Sequence, residues 1–413
     1  MSRCPPSDSA PPAGPEDISR AVDHLFRREY GRLVAILARR FGAAYLHLAE
    51  DVVQDALVKA MQVWPFTGVP PNPTAWILQT ARNRAIDQTR RSQLWRGRQS
   101  ELALLVEDCL ESALTLPAPQ FEDEIRDSQL RMMFVCCHPG LPPDAQVALT
   151  LKTLCGFGEG EIGAAFLCDE AAVTKRLVRA RKFLRERRLA LDLPKAAQLA
   201  ARLAAVQQAL YLLFNEGYKA SQGDLLVRTE LCAEALRLAG LLSTHPAGDR
   251  PATRALLALM HLNAARLPAR VDEAGGLLVL AKQDRTRWDG ALIRRGLAHL
   301  AASGAGPTVS RFHLEAGIAA CHCLAASYEA TDWGRILSLY DSLVRIDASP
   351  VVALNRAMAV AQVRGADAGL QALEAISPRN ALDDYHHSHA LAGLLLAETG
   401  RPVEARARFE RAL

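Results

Sequence analysis

The 413-residue chain is poor in aromatic residues, which make up 6% of it. Sheets favour aromatic and β-branched side chains, whereas Ala and Leu, abundant here, favour helices. An all-α fold is therefore expected. Long apolar runs are also missing. Stretches such as ALLALM (255–260) and GLLLA (393–397) fall far short of the roughly 20 residues that cross a bilayer. That excludes an ordinary membrane protein. The opening segment is rich in Pro, Ser and Ala without an apolar core, so residues 1–19 read as a disordered tail and not as a signal peptide. Nine Cys, an odd number at no metal-like spacing, read as reduced thiols in a cytoplasmic protein. There is no GxSxG, no phosphate-binding loop, no GxGxxG followed by a spaced acid and no HExxH, so no enzyme is expected. Cys136-Cys137-His138 and Cys321-His322-Cys323 contain metal-ligand residue types. Adjacent ligands rarely wrap one tetrahedral ion and no second pair follows, so neither a metal nor a cofactor is expected.

The net charge of +4 is small, but its distribution is not even. Between Arg82 and Arg98 stand six Arg and one acid, Asp87. Between Glu101 and Asp127 the sign reverses, with eight acids facing Arg126 alone. Between Lys175 and Arg188 eight bases face Glu186. Two basic patches thus flank an acidic connector. Basic clusters on predicted helices are the electrostatic footprint of nucleic-acid binding. The alternative is a solvated, Arg-rich helix face.

The second basic patch carries more detail. Residues 159–185 read as two helices with a short break, the pattern of a helix-turn-helix. In the second helix Val173, Leu177, Ala180 and Leu184 share one face. Lys175, Arg179 and Lys182 fall opposite, flanked by Thr174, Arg176 and Arg181. The apolar stripe is expected to pack on Ile162 and Phe166. The cationic face is left for phosphates and base edges, although a surface helix without a partner has the same pattern. Leu167 stands where this turn often has Gly.

Helices are also expected over Ala21–Arg40, Leu48–Val63 and Thr74–Arg91. Between the last two, four prolines in Trp64–Pro73 predict an irregular loop. On Glu50–Ala60, Val52, Val53, Ala56, Leu57 and Ala60 share a face, while Asp51, Gln54, Asp55 and Lys59 form the opposite one. On the next helix Gln79, Asn83, Asp87 and Arg90 line up opposite Ile77, Leu78, Ala81 and Ala85. Trp64 and Trp76 bracket the loop. Aromatic rings beside a basic, amide-bearing helix suit unstacked bases, and they equally suit a core. From about Ala196 the chain reads as Ala/Leu-rich helices. Turn signals at Thr331-Asp332, Arg364-Gly365 and Gly400-Arg401 recur at about the period of tetratricopeptide-type helix pairs. Ala390, Gly393, Pro402, Ala405 and Phe409 fit the small-residue pattern of one such unit; an irregular bundle is the other reading. The last residues, Phe409–Leu413, fall inside an expected helix, whose final turns are expected to be missing or supplied differently. Asp284, Arg285, Trp288 and Asp289 read either as a structural knot or as an interaction site.

These residues carry a resemblance. AEDVVQDALVKAMQVWP followed by PTAWILQTARNRAIDQTRR resembles region 2 of the extracytoplasmic-function (group 4) sigma-70 factors, and residues 159–185 resemble their region 4. The resemblance covers roughly residues 20–190. YLLFNEGY (211–218), QDRTRWD (283–289), LNRAMAVA (354–361) and CCHPGLPPDAQVALTLKTLCGF (136–157) resemble one subgroup with a tetratricopeptide-like helical extension. It implies region 2 over 20–98, an acidic linker over 99–125, region 4 over 126–190 and the extension over 191–413, repeat-like from about 311. The implied function is a sigma factor without chemistry of its own. Asp51, Gln54 and Asp55 would dock on core RNA polymerase, whose clamp helices and flap are the implied contacts. Trp76, Gln79, Asn83, Arg84, Arg90 and Arg91, with the 64–73 loop, would open and hold the −10 element of promoter DNA. Thr174, Lys175, Arg176, Arg179 and Lys182 would read the −35 element. The extension is expected to meet a regulatory protein or peptide. A polymerase-independent DNA-binding regulator and a protein-interaction scaffold are the competing readings.

Overall fold

The computed structural model describes residues 29–39, 41–42, 45–96, 129, 131–166, 168–187, 196–219, 226–246, 248–273, 275–376, 382–383 and 385–412. The expected tail at 1–19 and the acidic linker at 99–125 lie outside the described residues. The fold is all-α; among the described residues the only extended pairing is an isolated bridge between Val271 and Leu277. Proline opens several helices. Pro73, Pro143, Pro251, Pro350 and Pro402 are each the first helical residue, where the missing N–H has no partner to lose and φ is already helical.

The chain divides into two compact units, the first reaching Leu241 apart from a short crossing at 225–227. In the first unit, α1 (residues 29–39) is buried on nearly every face, with Tyr30, Leu33, Val34, Ala35, Leu37 and Ala38 all in the core. Helices α2 (Leu46–Thr67) and α3 (Pro73–Arg96) pack together. The stripe Val52, Val53, Ala56, Leu57 and Ala60 of α2 is buried, as are Ile77, Ala81 and Ala85 of α3. The prolines do not break the chain where expected: α2 continues through Pro65 to Thr67. Trp64 is only 1% exposed, and its carbonyl accepts from the Gly68 N–H at 2.9 Å. The Thr67 hydroxyl donates to the Val63 carbonyl at 3.2 Å. A proline in the last turn removes one backbone bond, and the burial of Trp64 holds the turn helical. The real break is Gly68–Asn72, with Gly68 at φ 77°.

The same unit continues with α4 (residues 131–136), α5 (Pro143–Cys155), α6 (Glu159–Phe166), α7 (Glu170–Arg187), α8 (Ala196–Tyr218) and α9 (Thr229–Thr244). Helix α5 is its hub, packing on α6, α7 and α8. It is buried almost all round, and two of its buried polar side chains are satisfied locally. The Gln146 amide donates to the Leu141 carbonyl at 2.8 Å, and the Thr150 hydroxyl donates to the Gln146 carbonyl at 2.9 Å.

The second unit is a run of helices that pack on their neighbours in sequence: α10 (Pro251–Ala264), α11 (Gly290–Ser303), α12 (Arg311–Leu324), α13 (Trp333–Ile346), α14 (Pro350–Arg364), α15 (Ala366–Glu374), α16 (His386–Glu398) and α17 (Pro402–Ala412). Helix α10 also meets α12, and α14 also meets α16. The turn signals fall at helix junctions. Asp332 caps α13, Gly365 at φ 90° joins α14 to α15, and Gly400 at φ 76° precedes α17. Gly393 faces Phe409, where a Cβ would lie 2.7 Å from the ring. The QDRTRWD stretch is a structural knot. Arg285 donates to the His322 and Ala325 carbonyls at the end of α12 and lies over the Trp288 ring, which Arg266 also faces. Asp289 accepts from the first backbone amides of α11.

Candidate nucleic-acid interface

Helices α6 and α7 form the helix-turn-helix. Val173, Leu177, Ala180 and Leu184 are all buried, as the period required, together with Ile162; Phe166 is half-buried. Lys175, Arg179 and Lys182 are exposed on the far side, Lys182 within 3.7 Å of Glu186. Thr174, Arg176 and Arg181 are instead held by contacts within the unit. Thr174 donates to Glu159 on α6 and to the Glu170 carbonyl. Arg176 lies over the Phe166 ring and 3.7 Å from Asp144 on α5. Arg181 turns away from the cationic face altogether and donates to Glu50 of α2 at 2.6 Å.

Glu50 is the residue that periodicity missed. It is 2% exposed, and the Thr153 hydroxyl of α5 donates to its other oxygen at 2.8 Å. A buried carboxylate requires such partners. Tyr30 sits in the same place; burial first, and the Glu50 charge second, push its hydroxyl well above its ordinary pKa. His47 is lowered by burial first, with Arg185 and Arg181 adding to that effect against Asp51 and Glu50. Gly31 of α1 lies so close to α5 that a Cβ there would stand 1.9 Å from the Leu154 carbonyl oxygen. The helix-turn-helix and the α1–α3 bundle therefore share one packed interior. Nothing in the local pattern around residue 50 signals a partner 131 residues away.

On the α1–α3 bundle, Asp51 and Gln54 are exposed and Asp55 is half-buried. Asp55 accepts from Arg84 at 2.8 Å, which raises the Arg84 pKa. The residues expected to meet polymerase and those expected to meet DNA are thus contiguous. A groove of about 440 Å³ runs between α2 and α3, lined in part by Lys59, Thr80, Asn83, Arg84 and Asp87. Gln79 and Asn83 are exposed and bonded to each other at 3.1 Å. Of the two tryptophans, Trp64 is core. Trp76 packs against it edge-on, ring centres 5.4 Å apart, and stays half-buried. Arg90 and Arg91 fall on α3, with side chains outside the described residues. Among the described residues no cluster of three or more His, Cys, Asp or Glu could hold a metal ion, and no helix is long and apolar enough to cross a membrane. Cys136 and Cys137 are buried, and burial raises both thiols, Cys137 to about 12.

A helix-turn-helix with an exposed cationic face, in one unit with a polar, amide-bearing helix, suits a DNA-binding protein. Comparison with known families agrees. Residues 25–94 match Sigma-70 region 2, and residues 131–184 match Sigma-70, region 4. Residues 202–304 match a family of unknown function, DUF6596. These two domains support a sigma-factor role in promoter recognition and imply promoter DNA and RNA polymerase core as partners. An uncharacterized protein of Rhizobium meliloti (strain 1021) is 39% identical over 371 residues, 89% of this chain and 86% of the relative, and the chain belongs to the same family. No solved structure matches the chain.

Proposed function

We propose that this chain is a sigma factor of the extracytoplasmic-function group, and that Asp51 and Gln54, with Asp55, dock on the clamp helices of core polymerase. The observation that carries the reading is the separation of faces. Every apolar residue of the α2 stripe is buried, while the acids and amide on the other side are exposed or half-exposed. The flap of the core would receive the region 4 side. Asn83 and Arg84 line the α2–α3 groove, Gln79 is bonded to Asn83, and the half-buried Trp76 lies on the same helix, so an unstacked base of the −10 element finds hydrogen-bond partners and an aromatic edge along α3. Arg90 and Arg91 extend the same helix with positive charge for the backbone. Lys175, Arg179 and Lys182 read the −35 element, while Thr174 and Arg176 hold the reading helix in place. The acidic stretch at 99–125 occupies a basic channel of the core. The helix pairs of the second unit form a tetratricopeptide-like surface for a protein or peptide. Its nearly balanced charge gives it little reason to grip DNA.

Region 2 and region 4 share a buried Glu50–Arg181 contact. Charge reversal at Asp51 and Asp55 tests the docking face. The double variant is expected to fold and to lose competition for core polymerase in a pull-down; normal competition rejects the assignment.

A further inference from the structure

We propose that α8 and the first turns of α9 are part of the promoter-reading module itself, and that Arg228 is the positioning residue through which they hold the helix-turn-helix. The inference rests on the reading of α7 as the −35 helix. It gives a role to the start of the segment that matches only a family of unknown function.

Three arginines reach back from this segment into region 4. Arg202 of α8, itself buried, donates to the Phe134 carbonyl of α4 at 2.7 Å. Arg237 of α9 donates to Gln129 at 2.6 Å. Arg228, just before α9 and 7% exposed, donates to Glu161 of α6, with Glu216 of α8 at 3.5 Å and Glu230 at 3.9 Å. A buried guanidinium needs carboxylates around it, and it fixes whatever carries them. The Arg228 backbone is fixed as well. Its N–H donates to the Gly217 carbonyl at 2.8 Å, and its carbonyl accepts from Leu231 at 3.1 Å. Gly217 permits that crossing, since a Cβ there would meet the Cys232 nitrogen at 2.7 Å and the Arg228 oxygen at 2.8 Å.

Helix α6 needs such an anchor. It has 8 residues, and only Ile162 and Gly163 are buried. Two turns of helix do not hold themselves in water. Glu161 meets Arg228 through one oxygen and accepts from the Gly158 N–H at 2.7 Å through the other. Two residues earlier, Glu159 accepts from Thr174 of α7. A continuous polar chain thus runs from Arg228 through α6 to the reading helix. The angle between α6 and α7 is set partly by a residue outside the region 4 match, which stops at 184.

The test uses the full chain assembled with core polymerase. The probe is a −35 duplex selected by the wild-type holoenzyme from a randomised pool, compared with its scrambled counterpart. Arg228→Met is expected to bind core normally and to lose about tenfold in affinity for the selected duplex, which corresponds to about 1.4 kcal/mol. Arg228→Lys recovers most of that loss, because the charge stays in place. Arg254→Met breaks an exposed ion pair with Asp249 in the second unit and should read as wild type. Wild-type discrimination by a folded Arg228→Met protein overturns the inference, whatever its melting temperature. Should Arg228→Met fail to fold, Glu161→Gln takes its place with the same expected loss, and its wild-type behaviour overturns the inference equally. A wild-type holoenzyme that prefers no duplex overturns the −35 reading and this inference with it.

Discussion

Replacing Gly31 with Ala probes the packing of region 2 on region 4. In an ordinary helix interior this exchange stabilises by about 1 kcal/mol, because Ala loses less backbone freedom. Here the new methyl would lie 1.9 Å from the Leu154 carbonyl oxygen and 2.8 Å from the carbonyl carbon. Both obstacles are backbone, so no side chain can swing aside. Overpacking of this kind costs roughly 1–3 kcal/mol, and a rigid obstacle places it near the upper end. The net effect is a destabilisation of about 2 kcal/mol. For a unit of this size each kcal/mol moves the midpoint by about 2–4 °C. Thermal unfolding followed by circular dichroism should therefore show the N-terminal unit melting roughly 4–8 °C lower. The same variant should bring Glu50 into reach of solvent, seen as faster hydrogen exchange in α1 and α5. An unchanged or raised midpoint would refute the close approach of α1 to α5, and with it the shared interior.

Other outcomes follow from the same contacts. Arg179→Ala should lose roughly 1–3 kcal/mol of discrimination between a matched and a scrambled −35 duplex if it reads a base edge; a uniform loss with a shallower salt slope would place it on phosphate instead. Arg181→Met should leave that discrimination intact while lowering the midpoint of the N-terminal unit, since its guanidinium faces Glu50; a DNA-binding loss without a stability loss contradicts this. In the second unit, burial pushes His261 and His322 down to about 4. The unfolded chain takes up their protons near pH 6.5, before the folded one does, so stability should fall as pH drops from about 6.5 toward 4. Calorimetry of the His261→Gln/His322→Gln double variant should show a flatter pH profile, and a profile as steep as wild type would count against the cause given.

Much of this was legible in the sequence, and the rest was lost for identifiable reasons. The stripe Val173, Leu177, Ala180 and Leu184, the α2 stripe Val52, Val53, Ala56, Leu57 and Ala60, and Ile77, Ala81 and Ala85 of α3 each obey a single period, and all of these residues are buried as that period requires. Asp332, Gly365 and Gly400 marked junctions because caps and positive φ impose residue types. Pro65 misled, because the rule against helical proline is local and the burial of Trp64 is not. Arg176 read as a DNA-facing cation and Arg181 as a flank of the same face, yet a base on a helix flank looks the same whether it meets phosphate or a carboxylate from elsewhere in the chain. Glu50, Glu161 and Arg228 carried no signal at all. Their pairing joins elements 67 and 131 residues apart, and only the fold brings them together.

The central claim is that this chain gives promoter specificity to RNA polymerase. Run-off transcription addresses it directly, with core enzyme, the full-length protein and a template carrying the DNA upstream of its own gene. The account predicts a discrete transcript from one start site that core alone does not make and that the Asp51→Arg/Asp55→Arg variant abolishes. A folded wild-type protein that leaves core transcription unchanged, or a charge-reversed variant that initiates normally, would contradict it.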